Sequence, residues 1–211
     1  MFCLSSSFKK CIAVAFVASF FMLLSRMSMA EIMTYKVIKG GDQIGLIQIN
    51  RVVKSDVVEY FFESTVKLTV IFDIEVYDKM KVCFKAGQMT QASLYRTLNG
   101  KVRVNNTATW NGSHYQMTNK DGDKNSLSQL VQMTTASLYF HEPKDGTYIF
   151  SEKFQKMLPV KWVKDRKYLL KLPGGNKTYY SYANGTCNLV EAETDWADRS
   201  EERRVGKECL R

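Results

Sequence analysis

The side chains able to do chemistry are few and widely spaced. His114 and His141 are the only histidines in 211 residues. His141-Glu142-Pro143-Lys144-Asp145 opens like the H-E-x-x-H zinc motif, but Asp stands at the second ligand position and Pro143 breaks the helix such a motif needs. Asp121, Asp123 and Asn125 imitate the start of a calcium loop. Ser126 then replaces the required Gly, and Gln132 replaces the closing bidentate Glu. No G-x-S-x-G elbow and no phosphate-binding Gly-rich loop occurs; Gly40-Gly41 lies between two predicted strands. A Ser-His-Asp assembly converges only in space and leaves no mark in one sequence. No catalytic, cofactor-binding or metal-binding residue is therefore assigned, and the expectation is a protein that is not an enzyme.

Cysteine carries the remaining reactive chemistry. Cys3, Cys11 and Cys209 lie near the chain ends, leaving Cys83 and Cys187 in the body. In an exported protein these two could form one disulfide, closing a long loop worth up to ~4.7 kcal/mol in the chain-entropy account. Two buried reduced thiols are the alternative.

The elements that would position such residues are strands. Gly40-Gly41-Asp42, Ala86-Gly87, Asn99-Gly100, Asn111-Gly112, Asp121-Gly122, Asp145-Gly146, Pro173-Gly174-Gly175-Asn176 and Asn184-Gly185 punctuate the chain at short intervals. Asn-Gly and Asp-Gly tolerate the positive φ of tight hairpins. Such spacing predicts an all-β domain, a curved antiparallel meander or half-barrel. The clearest period of two places Val58, Tyr60, Phe62, Val66, Leu68, Val70, Phe72, Ile74 and Val76 on one face, with Glu59, Glu63, Lys67, Asp73 and Glu75 on the other. As one strand that run would measure roughly 60 Å, so a turn or bulge is expected near Ser64 or Asp73. The apolar face is either the closed core or the lining of a cavity. One short helix is expected from about Ser126 to Met133, where Leu127, Leu130 and Val131 fall at helical spacing.

Both ends differ from the middle. Lys9 and Lys10 precede an apolar run from Cys11 to Leu24, and Ser28-Met29-Ala30 forms a small-x-small site, so residues 1–30 read as a secretory signal. The run is shorter than the ~20 residues of a spanning helix, and no stable membrane span is expected after cleavage. The expected location is secreted or periplasmic. Residues 199–209 read like the conceptual translation of a sequencing-library adapter; the alternative is a solvated charged tail. Residues 31–198 are then the single β domain and 199–211 an artefact. The net charge of the whole chain is +9. Without the signal's Lys9, Lys10 and Arg26, and without five basic and three acidic groups of the tail, the body carries +4. That is an ordinary surface charge and gives no footing for nucleic acid. Lys161, Lys164, Arg166, Lys167 and Lys171 form the densest basic stretch and read best as a protected sheet edge.

A resemblance rests on Tyr35-Lys36-Val37, Ile44-Gly45, Glu63-Ser64-Thr65-Val66-Lys67, Asn99-Gly100-Lys101, Leu138-Tyr139-Phe140-His141-Glu142-Pro143, Phe150-Ser151-Glu152 and Leu172-Pro173-Gly174-Gly175-Asn176, and then on Tyr180, Tyr182, Asn184-Gly185 and Cys187. The chain resembles an uncharacterised family of bacterial secreted β-proteins, a domain of unknown function common in the Bacteroidetes. The resemblance implies a β-sheet fold and carries no site residues. The layout is also similar to the curved sheets of periplasmic lipoprotein carriers, an analogy of fold alone. The expected function is non-enzymatic binding of a lipid or other apolar ligand, with no cofactor. The second expectation is a structural protein that engages an envelope partner through its sheet edge.

Overall fold

Alternating side chains and Gly-bearing turns leave this sequence little choice but antiparallel hairpins. The computed structural model describes residues 29–69, 73–194 and 197–210. Its strands are β1 (Met29–Lys39), β2 (Asp42–Lys54), β3 (Val57–Thr69), β4 (Asp73–Lys85), β5 (Gln88–Leu98), β6 (Lys101–Trp110) and β7 (Tyr115–Thr118). They continue as β8 (Lys124–Leu127), β9 (Tyr148–Ser151), β10 (Lys156–Lys164), β11 (Lys167–Lys171), β12 (Lys177–Ala183), β13 (Thr186–Thr194) and β14 (Ala197–Leu210). All join one sheet in the order β8-β7-β6-β5-β4-β3-β2-β1-β14-β13-β12-β11-β10-β9. The sheet is antiparallel throughout and is not closed into a barrel, because β8 and β9 do not pair.

The long strands bend. Ladder shifts at Val37/Ile38, Cys83/Phe84, Arg96/Thr97 and Ser181/Tyr182 supply the bulges that curve a sheet. The inner face carries Met33, Tyr35, Ile47, Ile49, Tyr60, Val82, Phe84, Leu94, Leu170, Tyr182 and Val190, all buried. The outer face is wet, and its charges pair across strands, as in Lys67–Glu75 and Lys81–Glu59, both at 2.9 Å. Each such exposed pair is worth ~1 kcal/mol or less.

The connection from β8 to β9 must travel between the two edges of the sheet, and it does so through the interior. Val131, Thr134, Ala136, Ser137, Leu138, Tyr139 and Phe140 are all buried. A single 3-10 turn, Ser137–Tyr139, lies at the centre. Buried backbone needs partners, and inward-pointing tyrosines supply several. Tyr182 donates to the carbonyl of Leu138 at 2.8 Å, and Tyr115 accepts from the N–H of Val131 at 3.3 Å. The Tyr139 ring stands edge-on to Tyr35 and Tyr180, with centroids 5.1 and 6.3 Å away, and tilted to Phe62 at 5.8 Å. We call residues 131–141 the plug.

Side-chain amides hold the open seam. Asn106 on β6 donates to the carbonyls of Glu152 and Lys153 at 3.0 and 2.8 Å. Gln155, in the same β9–β10 turn, donates to the carbonyls of Thr107 and Thr118 at 2.9 and 3.1 Å.

Several expectations need correction. Of the two places expected for a turn, Asp73 is where it falls: the run from Val58 to Val76 is two strands, with Val66 opposite Val76 and Leu68 opposite Ile74, and the chain reverses between Thr69 and Asp73, not at Ser64. No helix forms over 126–133. Lys124–Leu127 pairs with β7 instead, and Leu130 is exposed while Val131 is fully buried, so the apolar triad never shares a face. Extended chain covers roughly twice the distance per residue of a helix, which the crossing between edges requires. Cys83 and Cys187 do not pair: both thiols are free. Cys83 faces outward beside Glu59, Cys187 faces inward, and β3, β2, β1 and β14 separate their strands. That arrangement is incompatible with the ~7 Å Cα limit of a disulfide. The adapter-like segment is not left outside the fold; it supplies most of β14, between β1 and β13. Of the expected signal, residues 1–28 lie outside the described residues, and Met29 and Ala30 open β1.

Gly45 marks the closest approach of β2 to β3. A Cβ there would lie 2.4 Å from the Thr65 carbonyl oxygen and 2.9 Å from Val66 Cα. Gly45→Ala should therefore cost about 1–3 kcal/mol through overpacking, read as a lowered denaturation midpoint with an unchanged slope.

Candidate functional site

The plug fills only part of the curled interior. Beside it lies a cavity of about 390 Å³, within the range of small-molecule sites. Strand parity builds its apolar wall. Phe62, Val66 and Leu68 on β3 face Met80, Val76 and Ile74 on β4. Val37, Ile44, Leu170, Leu172 and Val190 extend the wall across β1, β2 and the β11–β13 side.

The expected apolar face thus divides. Phe62, Val66, Leu68, Ile74 and Val76 line the cavity. Tyr60 turns to the plug, where it packs against Phe140 with centroids 5.5 Å apart and its hydroxyl lies 3.1 Å from Nε2 of His141. Val58 packs against the core, and Val70 and Phe72 lie outside the described residues. His114 sits in an exposed turn with Asn111 and Ser113 and does not line the cavity.

The other wall is polar. Ser64 on β3, Asp78 on β4 and Arg96 on β5 stand at one level of three adjacent strands. Arg96 grips Asp78 through two bonds, Nε to Oδ1 at 2.5 Å and Nη2 to Oδ2 at 2.6 Å. Both groups are largely withdrawn from water, so losing one partner alone would leave a buried charge at a cost of ~3–5 kcal/mol. Glu152 is 2% exposed and is held by the Thr135 hydroxyl and the Ala136 N–H; burial pushes its carboxyl up. Glu202 accepts from Tyr139 at 2.8 Å, and burial pushes its pKa up to about 7. Lys153 reaches in from the β9–β10 turn, its Nζ 5.0 Å from the centroid of Phe154. Burial, and after it the neighbouring Arg96, push the Lys153 ammonium down.

Sequence reasoning missed this polar wall. Asp78 and Arg96 look like ordinary surface charges until strand parity is tracked past the β3–β4 reversal. Glu152 and Lys153 give no signal, because they reach the cavity through a turn. The basic stretch on β10 and β11 lies elsewhere: Lys167 pairs with Glu191 and Arg166 with Glu142.

On β14, Ser200, Glu202 and Arg204 stand opposite Lys39, Val37 and Tyr35 of β1. A strand flanked by buried Val37 and Val190 would ordinarily place apolar side chains there. Since Glu202 belongs to the adapter-like segment, the chemistry of the site rests on Asp78, Arg96, Glu152 and Lys153, which do not.

A domain of unknown function, DUF6134, matches residues 35–203. The chain belongs to this family. The match takes in all the residues that line the cavity. Comparison with curated proteins finds no match. Among solved structures the chain is similar to a β-barrel-like protein of another domain of unknown function, DUF1849, from Brucella abortus. That likeness has a TM-score of 0.51 at 10% identity and covers 88% of this chain and 99% of the other. It supports the wrapped β-sheet architecture and nothing about activity. Among the described residues no helix is long and apolar enough to cross a membrane, and no cluster of side chains suits a metal ion.

The raised pKa of Glu202 has a sign that can be checked. Between about 4.5 and about 7 the folded chain retains a proton that the unfolded chain releases. Stability contributed by the neutral carboxyl is complete below the unfolded pKa and is lost as pH rises toward 7. Glu202→Gln keeps the bond to Tyr139 and removes the titration. The variant should gain on the parent as pH rises across that window, by on the order of 3 kcal/mol at most, read by urea denaturation at pH 4.5 and 7.5.

Proposed function

We propose that this chain is a non-enzymatic binding protein that holds an apolar ligand between its curled sheet and its plug, acting in the secreted or periplasmic space. The observation that carries the reading is the continuous apolar wall of Phe62, Val66, Leu68, Ile74 and Val76 facing a cavity instead of packed side chains. Native interiors are normally filled to crystal-like density, so an unfilled apolar space of this size is a feature that needs a use. The location rests on the sequence pattern of residues 1–30, which reads as a secretory signal. Asp78, Arg96, Glu152 and Glu202 beside the cavity are tied into ion pairs and hydrogen bonds, and none of them is a nucleophile set against a base, which favours binding over catalysis.

The alternative, capture of an envelope partner's strand, has less support. The two sheet edges, β8 and β9, are four residues each, and β9 is already bridged to the plug, with Phe150 donating to the Met133 carbonyl and accepting from the Thr135 N–H. Such edges are too short to template a long added strand.

Native mass spectrometry of the purified chain, followed by solvent extraction, checks the reading. A bound apolar species of defined mass is expected in the parent and should disappear in Val66→Trp, which fills the cavity while circular dichroism stays β-like. A parent that carries no such species, and after delipidation takes up no fluorescent fatty acid, would overturn it.

A further inference from the structure

The apolar wall says that the ligand is greasy; the polar wall says what its head is. We infer that the ligand is a single-chain amphiphile with an anionic head group, whose head is met by Lys153 beside Arg96 and whose tail lies along Val66, Leu68, Ile74 and Val76. This rests on the binding reading above and narrows it to one chemical class.

Three observations support it. First, Lys153 lines the cavity and, among the described residues, has no carboxylate within ion-pair distance; its contact is the ring of Phe154 at 5.0 Å. Every acid nearby is already engaged: Asp78 by Arg96, Glu152 by Thr135 and Ala136, and Glu202 by Tyr139. Second, Lys153 is held in place by the seam, because Asn106 on β6 donates to the carbonyls of Glu152 and Lys153 and fixes the turn that delivers the side chain. Third, a second cation, Lys39, lines the same space, while Arg96 and Asp78 there neutralise one another. An incoming anion would give the unpaired ammonium of Lys153 charge-assisted hydrogen bonds that no side chain of the site supplies.

The volume sets the tail. The cavity of about 390 Å³ lies at the small end of ligand sites, which suits a single chain of medium length.

The experiment measures binding of dodecanoate, dodecyl phosphate, dodecanol and dodecyltrimethylammonium to the delipidated chain by displacement of a fluorescent fatty acid. Both anions should bind more tightly than the alcohol, and the cation should bind most weakly; the tighter anion identifies the head. Lys153→Met keeps the apolar stem and should weaken the anions at least about tenfold, the loss of one charge-assisted bond, while leaving dodecanol unchanged. Lys153→Arg should retain the preference for anions. Equal binding of dodecanoate and dodecanol by the parent, or an undiminished affinity of Lys153→Met for dodecanoate, would overturn the head-group assignment and leave apolar binding intact. Failure of all four probes to bind would remove the binding reading itself, and the head group with it.

Discussion

The structure turns on one constraint: β8 and β9 are consecutive strands that lie at opposite ends of the sheet. A fourteen-strand meander that curls on itself could close by pairing its two edges, and this one does not. The intervening chain passes through the interior, so its backbone polar groups must be satisfied inside an apolar space. That requirement explains the tyrosines. Tyr115 and Tyr182 place hydroxyls where Val131 N–H and the Leu138 carbonyl need them, and Tyr35 and Tyr180 meet the Tyr139 ring edge-on at the same turn. Residues that are half apolar and half hydrogen-bonding suit a sheet lining that must grip another piece of main chain.

The cavity follows from the plug. A sheet this wide wraps more space than the plug can fill, and the remainder is left beside Tyr139 and Thr135. Its two walls have different origins. The apolar wall is made by strict alternation along β3 and β4. The polar wall is made where alternation is broken, by Ser64 and Asp78 on the inward face and by a seam turn that carries Glu152 and Lys153. The seam is bonded through the amides of Asn106 and Gln155 instead of a backbone ladder. A side chain can therefore enter the cavity at the seam without disturbing strand register.

Local rules made the hairpins legible. The Gly-bearing turns at 40–41, 86–87, 99–100 and 184–185 all reverse the chain, with Ala86, Asn99 and Asn184 at φ near +50°. The apolar face of Val58 to Val76 was legible as a face, since period-two parity survives a hairpin, and its length announced a break that parity alone could not place. Other reversals were not: Ser55, Gln155 and Asp165-Arg166 adopt positive φ without glycine or asparagine to announce it. The plug was also illegible. Its buried residues include Ser137 and Thr134, polar types that only tertiary partners make tolerable inside. Lys153 reaches the cavity through a contact of long sequence separation with Asn106, which no local pattern encodes. The pairing proposed for Cys83 and Cys187 failed for the same reason, since face and strand position are tertiary facts.

Amide hydrogen exchange, read residue by residue, tests the account at its root. If the β8–β9 connection is a plug, the amides of Val131, Thr134, Leu138 and Phe140 exchange as slowly as those of Ile47, Ile49 and Val82 in the core strands, because all open only in large unfolding events. If the connection runs over the surface, those amides exchange at the rate of the exposed turn at Gly122, and the plug, the cavity beside it and the site built on both are wrong together.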